Sequence, residues 1–146
     1  MTTVAIVHET VLPYAPEQVW SMLTESAAIE RWLMPNDFEA RIGHRFTFRT
    51  NPIPAANFDG IIQCEVVELE RPSRLAYTWN GGGLATKVTY RLSPEGDGTR
   101  LHFEHSGFDL DNPVHRMAHH GMGSGWKDCW TRNFRLRMDE MVGASR

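Results

Sequence analysis

Four stretches of this sequence alternate strictly between large apolar residues and polar or small ones, a two-residue period that belongs to a strand with one buried face. His44, Phe46 and Phe48 alternate with Arg45, Thr47 and Arg49, and Leu75, Tyr77 and Trp79 with Ala76 and Thr78. Val88, Tyr90 and Leu92 alternate with Lys87, Thr89 and Arg91, and Leu101, Phe103 and His105 with Arg100, His102 and Glu104. Residues 3–12 and 60–69 add two strands whose facing is blurred by Ile61-Ile62 and Val66-Val67. Turn-forming clusters stand at Asn51-Pro52-Ile53-Pro54, Asn80-Gly81-Gly82-Gly83 and Ser93-Pro94-Glu95-Gly96-Asp97-Gly98. Strands that are wet on one side only make an antiparallel sheet, and that sheet must bury its other side against something.

Three stretches switch to helical spacing. Pro16 suits a first helical turn, and Val19, Trp20 and Leu23 follow on one side. Ser26 is placed to cap a second short helix that carries Ile29, Trp32 and Leu33 and ends before Pro35. A third, long helix is expected from about Gly123 to Met141, with Trp126, Cys129, Trp130, Asn133, Phe134, Arg137, Met138 and Met141 along one stripe. It is the only element large enough to cover the sheet. The fold class expected is therefore α+β: an antiparallel sheet wrapped around a long C-terminal helix, with two short helices after strand 1, in one domain spanning residues 1–146.

Composition narrows the function classes. At 146 residues, 41% hydrophobic and 23% charged, the chain can bury a substantial core. A net charge of −3 carries no basic excess, so no nucleic-acid partner is expected. Cys64 and Cys129 have no CxxC spacing and read as buried small apolar residues. Met1-Thr2-Thr3-Val4 does not open a signal peptide, and no apolar run approaches the ~20 residues that span a bilayer. A cytoplasmic location without membrane attachment is the expectation.

The words Pro16-Glu17-Gln18-Val19-Trp20, Ile29-Glu30-Arg31-Trp32-Leu33-Met34-Pro35 and Leu75-Ala76-Tyr77-Thr78-Trp79 appear in this order. Gly98-Thr99-Arg100-Leu101, His105-Ser106-Gly107-Phe108 and Gly125-Trp126 follow them. Together they resemble the START-like helix-grip superfamily, and within it the small bacterial relatives of the C-terminal domain of the heat-shock-protein-90 ATPase activator. The resemblance runs from about residue 5 to residue 142. It implies a curved sheet gripping the C-terminal helix, with a cavity between them. The superfamily includes lipid carriers, hormone binders, cyclase-like domains and co-chaperone domains, so it implies ligand binding without naming the ligand.

Large aromatic side chains between a curved sheet and one helix leave irregular gaps, and an apolar gap is the usual small-molecule site. The candidate ligand-binding residues are Trp32, Phe46, Phe48, Tyr77, Trp79, Tyr90, Phe103, His105, Trp126, Trp130 and Phe134. For any one of the aromatics plain core packing is the simpler reading, with roughly one in three expected on an open pocket. His105 lies on the apolar face, where it either orients a ligand or is a hydrogen-bonded core histidine.

His115, His119 and His120 suggest a metal cluster, but HExxH is absent and Arg116 would oppose a cation. A surface turn leading into the last helix accounts for them better, and no metal or cofactor is expected. Neither GxSxG nor a phosphate loop is present; Gly81-Gly82-Gly83 reads as a hairpin turn. The function expected is a carrier or sensor for a small hydrophobic molecule. A cyclase-like enzyme using the same cavity and a co-chaperone-like interaction module are the alternatives, and a homodimer through a strand edge is left open.

Overall fold

A computed structural model describes residues 3–144. Six strands, β1 (Thr3–Leu12), β2 (Arg45–Arg49), β3 (Ile61–Glu70), β4 (Arg74–Gly81), β5 (Leu84–Glu95) and β6 (Gly98–Asp109), form one curved antiparallel sheet in the order β1-β6-β5-β4-β3-β2. Helices α1 (Pro16–Thr24) and α2 (Ser26–Trp32) follow β1, and a short 3-10 turn, Pro54–Ala56, precedes β3. The chain ends in a long helix of three parts: α3 (Pro113–Asp128), a π turn (Cys129–Asn133) and α4 (Phe134–Ala144).

The alternation explains the sheet. Phe46, Phe48, Tyr77, Trp79, Val88, Tyr90, Leu101, Phe103 and His105 all face inward and are buried. The blurred segments are bulged. β3 slips register against β4 between Val66 and Glu68, which buries Val66 and turns Val67 outward. In β6, Gly107 sits at φ +100 opposite a register shift in β1, so that Phe108 turns inward only three residues after His105. Gly82 and Gly83, at φ +57 and +87, make the two-residue turn between β4 and β5, where two left-handed residues match the twist of the strands.

Pro16 opens α1, which buries Val19, Trp20, Met22 and Leu23. Ser26 does not cap α2. Glu25 holds the cap position without a side-chain bond, and Ser26 Oγ instead faces the carbonyl and side-chain oxygens of Asn36 at 3.1 and 2.9 Å. Asn36 also donates to the Ser26 and Met34 carbonyls and accepts from the Phe38 N–H. One asparagine thus folds residues 33–38 into a fixed turn beside the end of α2.

The last helix starts earlier than its apolar stripe predicts. Asn112 accepts from the Val114 and His115 N–H groups, and Pro113 takes the first helical position, a strong start signal. Residues 113–125 have little apolar pattern, so His115, His119 and His120 lie on helix α3 and not in a surface turn. Trp126, Cys129, Trp130, Phe134 and Met138 are the buried stripe, while Asn133, Arg137 and Met141 are half-buried at its margin. Trp130 lies among Trp32, Phe103, Trp126 and Phe134, with ring centroids 5.1–5.9 Å away. Among the described residues no helix is long and apolar enough to cross a membrane.

Candidate functional site

The interface between sheet and helix is filled through most of its length. Phe46, Phe48, Tyr77, Tyr90, Phe103, Trp130 and Phe134 are closed into the core, each against several other rings. A gap opens where the end of α2, β4 and the last helix meet. A groove of about 280 Å³ lies there, lined by Trp32, Leu33, Met34, Trp79, Met122, Gly125, Trp126, Asp128, Cys129 and Asn133. Of the candidates from sequence, the structure brings Trp32, Trp79 and Trp126 together in this groove and leaves the others behind it.

Several groove residues escaped the sequence reading. Leu33 and Met34 form a rim that exists because Asn36 fixes the turn after α2. Met122 and Gly125 fall in or near the stretch of helix that shows no apolar stripe. Cys129 and Asn133 were visible as stripe residues, but their place at the mouth depends on the π turn. That turn inserts one residue per hydrogen-bonded loop, and such irregularities recur at functional sites. Asn133 also ties the helix to α2, donating from Nδ2 to the Trp32 carbonyl at 2.9 Å.

Directly behind the groove, His105 is fully buried and fully bonded. The Trp126 indole N–H donates to His105 Nδ1 at 3.1 Å, so the ring proton of neutral His105 is on Nε2. Nε2 then donates to Thr86 Oγ1 at 2.8 Å, and the Thr86 hydroxyl donates to the Trp79 carbonyl at 2.7 Å. Burial, helped by the charge of His119, pulls the His105 pKa down to about 3. A second proton would also break the bond from Trp126. His105 is a neutral strut between the two tryptophan-bearing elements.

The other titratable core groups are neutral too. The Tyr77 and Tyr90 hydroxyls bond each other at 2.8 Å, and burial raises both well above the ordinary tyrosine value. Burial, reinforced by Asp128, pushes the Cys129 thiol up to about 12, and burial also raises Cys64. Neither cysteine is in a disulfide. Asp128 is the groove's charged group, and Arg132 holds both of its oxygens at 3.1–3.2 Å.

Other suggestive clusters are accounted for by structure. His115 accepts from the Asp109 N–H at Nδ1 and meets the Gly83 carbonyl through Nε2 at 3.2 Å, so it clasps the helix start to the β4–β5 hairpin. His119 packs edge-on against Phe108. No three metal-ligating side chains stand together among the described residues. A larger hollow of about 600 Å³ lies between α1, α2 and α4, but its arginines are already paired: Arg31 and Arg137 with Glu140, Arg71 with Glu17.

Comparison with known proteins agrees with this architecture. The family model described as activator of Hsp90 ATPase homolog 1-like protein matches residues 13–136. The crystal structure of protein MLL2253 from Mesorhizobium loti is 32% identical with a TM-score of 0.80, covering 98% of this chain and 99% of its own. The solution structure of Bacillus halodurans protein BH1534 is 31% identical with a TM-score of 0.74, covering 94% and 97%. The Aha1 dimer from Colwellia psychrerythraea, at 20% identity, TM-score 0.71 and coverage of 88% and 91%, shares the fold. No curated protein matches the chain. The sequence motifs, the helix-grip architecture and these matches lead to one conclusion: this chain belongs to the activator of Hsp90 ATPase homolog 1-like family.

Proposed function

We propose that this protein binds a small, largely apolar aromatic molecule in the groove between α2, β4 and the C-terminal helix. The supporting observation is the convergence of Trp32, Trp79 and Trp126, from three different elements, on one open space of about 280 Å³. That volume is near the lower end for small-molecule sites and suits a body of one or two rings. Leu33, Met34 and Met122 complete an adaptable apolar wall, methionine being the side chain that best follows an irregular ligand. Binding fits better than chemistry, because His105 is neutral with both nitrogens occupied and the Cys129 thiol stays protonated.

The groove is also a better candidate than a protein-docking face. The exposed large apolar residues come from β1 (Val7, Val11), β3 (Val67), α3 (Val114, Met117), α4 (Leu136) and two loops (Ile42, Ile53). Self-association has one supporting feature, the open edge of β1 with Val7 and Val11 about half exposed, and the Colwellia relative is described as a dimer. Sedimentation velocity at micromolar concentration tests it, a monomer at all concentrations counting against it.

Gly125 supplies the direct test of the groove. A Cβ there meets nothing within 4 Å, so Gly125→Leu keeps the helix and fills the space. Native mass spectrometry and a thermal-shift panel of small aromatics should show saturable stabilisation of the wild type. The same compounds should bind the Gly125→Leu variant at least ten-fold more weakly. Equal binding to both proteins would move the site elsewhere.

A further inference from the structure

The groove's three indole N–H groups are not equivalent. Trp32 donates to the Met22 carbonyl at 2.9 Å, and Trp126 donates to His105. Both therefore show the groove only ring carbon. Trp79 has no acceptor among the described residues, although 96% of its surface is covered, leaving 4% exposed. Among the described residues, the sealed side-chain polar atoms without a partner are Trp130 Nε1 and Arg137 Nε. The Trp79 N–H is not one of them, so it is not sealed, and Trp79 lines the groove.

In the empty groove only water can accept from this N–H. A ligand that replaces the water with carbon alone strands a donor in an apolar site, whereas one that places an oxygen there recovers the bond. The groove's other polar side chains are less free to meet that oxygen. The Asp128 carboxylate can only accept and is held by Arg132, and Asn133 commits one of its two amide hydrogens to the Trp32 carbonyl.

We infer that Trp79 is a specificity residue: the ligand is an aromatic compound carrying a hydrogen-bond-accepting oxygen, an aryl ketone or its like, held by the Trp79 indole N–H. This rests on the groove being the binding site. The probes are 2-acetylnaphthalene and its near-isosteric hydrocarbon 2-isopropylnaphthalene, titrated into the full chain by calorimetry. One neutral hydrogen bond in a partly open site corresponds to a preference of about five-fold for the ketone. In proton–nitrogen correlation spectra of the wild type, the Trp79 indole proton should move downfield with the ketone and not with the hydrocarbon. Trp79→Phe should bring the two affinities to parity.

Equal affinities in the wild type, or a ketone preference that survives Trp79→Phe, would overturn the inference while leaving the groove reading intact. Failure of both probes to bind would remove both. Should Trp79→Phe not fold, the direction of the wild-type indole shift decides the matter alone: a downfield shift with both probes or with neither contradicts the inference.

Discussion

His105 shows how a single buried side chain takes its character from partners distant in sequence. Trp126 fixes its tautomer and Thr86 receives its proton, and neither is a neighbour along the chain. Its folded pKa, about 3, lies below the reference value of 6.5, so the unfolded chain binds this proton first as pH falls. The stabilisation is complete above pH 6.5 and is lost as pH drops towards 3, at about 1.4 kcal/mol per pH unit. Urea denaturation at pH 6.5 and 4.5 should show a loss of roughly 2–3 kcal/mol attributable to this residue. His105→Gln should be less stable at neutral pH but lose about that much less on acidification; an unchanged acid slope would mean that His105 is not held neutral. Trp126→Phe tests the same unit from the other side. It leaves Nδ1 without a donor and should cost about 1–3 kcal/mol, read from the same denaturation curves.

At the scale of elements, the last helix is uneven along its length. From Trp126 onward it is anchored by a buried stripe, whereas α3 before that point carries Gly121, Gly123 and Gly125 with no buried large residue. None of these glycines is needed for space, since a Cβ at each meets nothing within 4 Å. Glycine inside a helix costs about 0.5–1 kcal/mol relative to alanine. Gly121→Ala and Gly123→Ala should each raise stability by about that amount in thermal unfolding. Hydrogen exchange should open residues 113–125 before the rest of the helix, and uniform protection along the whole helix would contradict this.

The same unevenness decided what the sequence could reveal. The sheet was legible because each strand writes its buried face every second residue, and the second half of the helix because Trp126, Trp130, Phe134 and Met138 repeat at helical spacing. The first half was not, because glycines and histidines leave no stripe; only Asn112-Pro113 marks its start. The groove was half legible. Its tryptophans stand out in the sequence, but Leu33 and Met34 are positioned by hydrogen bonds of Asn36 to residues up to ten places away. Whether an aromatic fills the core or borders an opening depends on the π turn at Cys129–Asn133, which no residue pattern announces.

Taken whole, the molecule packs most of its large aromatic residues into the core of the grip and leaves Trp32, Trp79 and Trp126 bordering a groove. Its core is neutral throughout: His105, Tyr77, Tyr90, Cys64 and Cys129 all resist ionisation through burial. For the tyrosines and cysteines, whose folded values are raised, the stabilisation is full below about pH 9 and declines as the unfolded chain loses protons above it. Stability should therefore peak on a plateau between roughly pH 6.5 and 9, with the acid flank from His105 and the alkaline flank from these four groups. Denaturation midpoints across pH 4 to 11 check this, and a maximum near pH 5 would contradict it.

The ligand site proposed in the groove is built on three tryptophans whose indole N–H groups report on it. The most direct measurement is a titration of the nitrogen-15-labelled protein with a naphthalene derivative, followed through the five tryptophan indole signals. Saturable, single-site shifts concentrated on Trp32, Trp79 and Trp126 are expected, with Trp20 nearly unmoved. Absence of saturable shifts, or shifts centred on Trp20, would contradict a site in the groove.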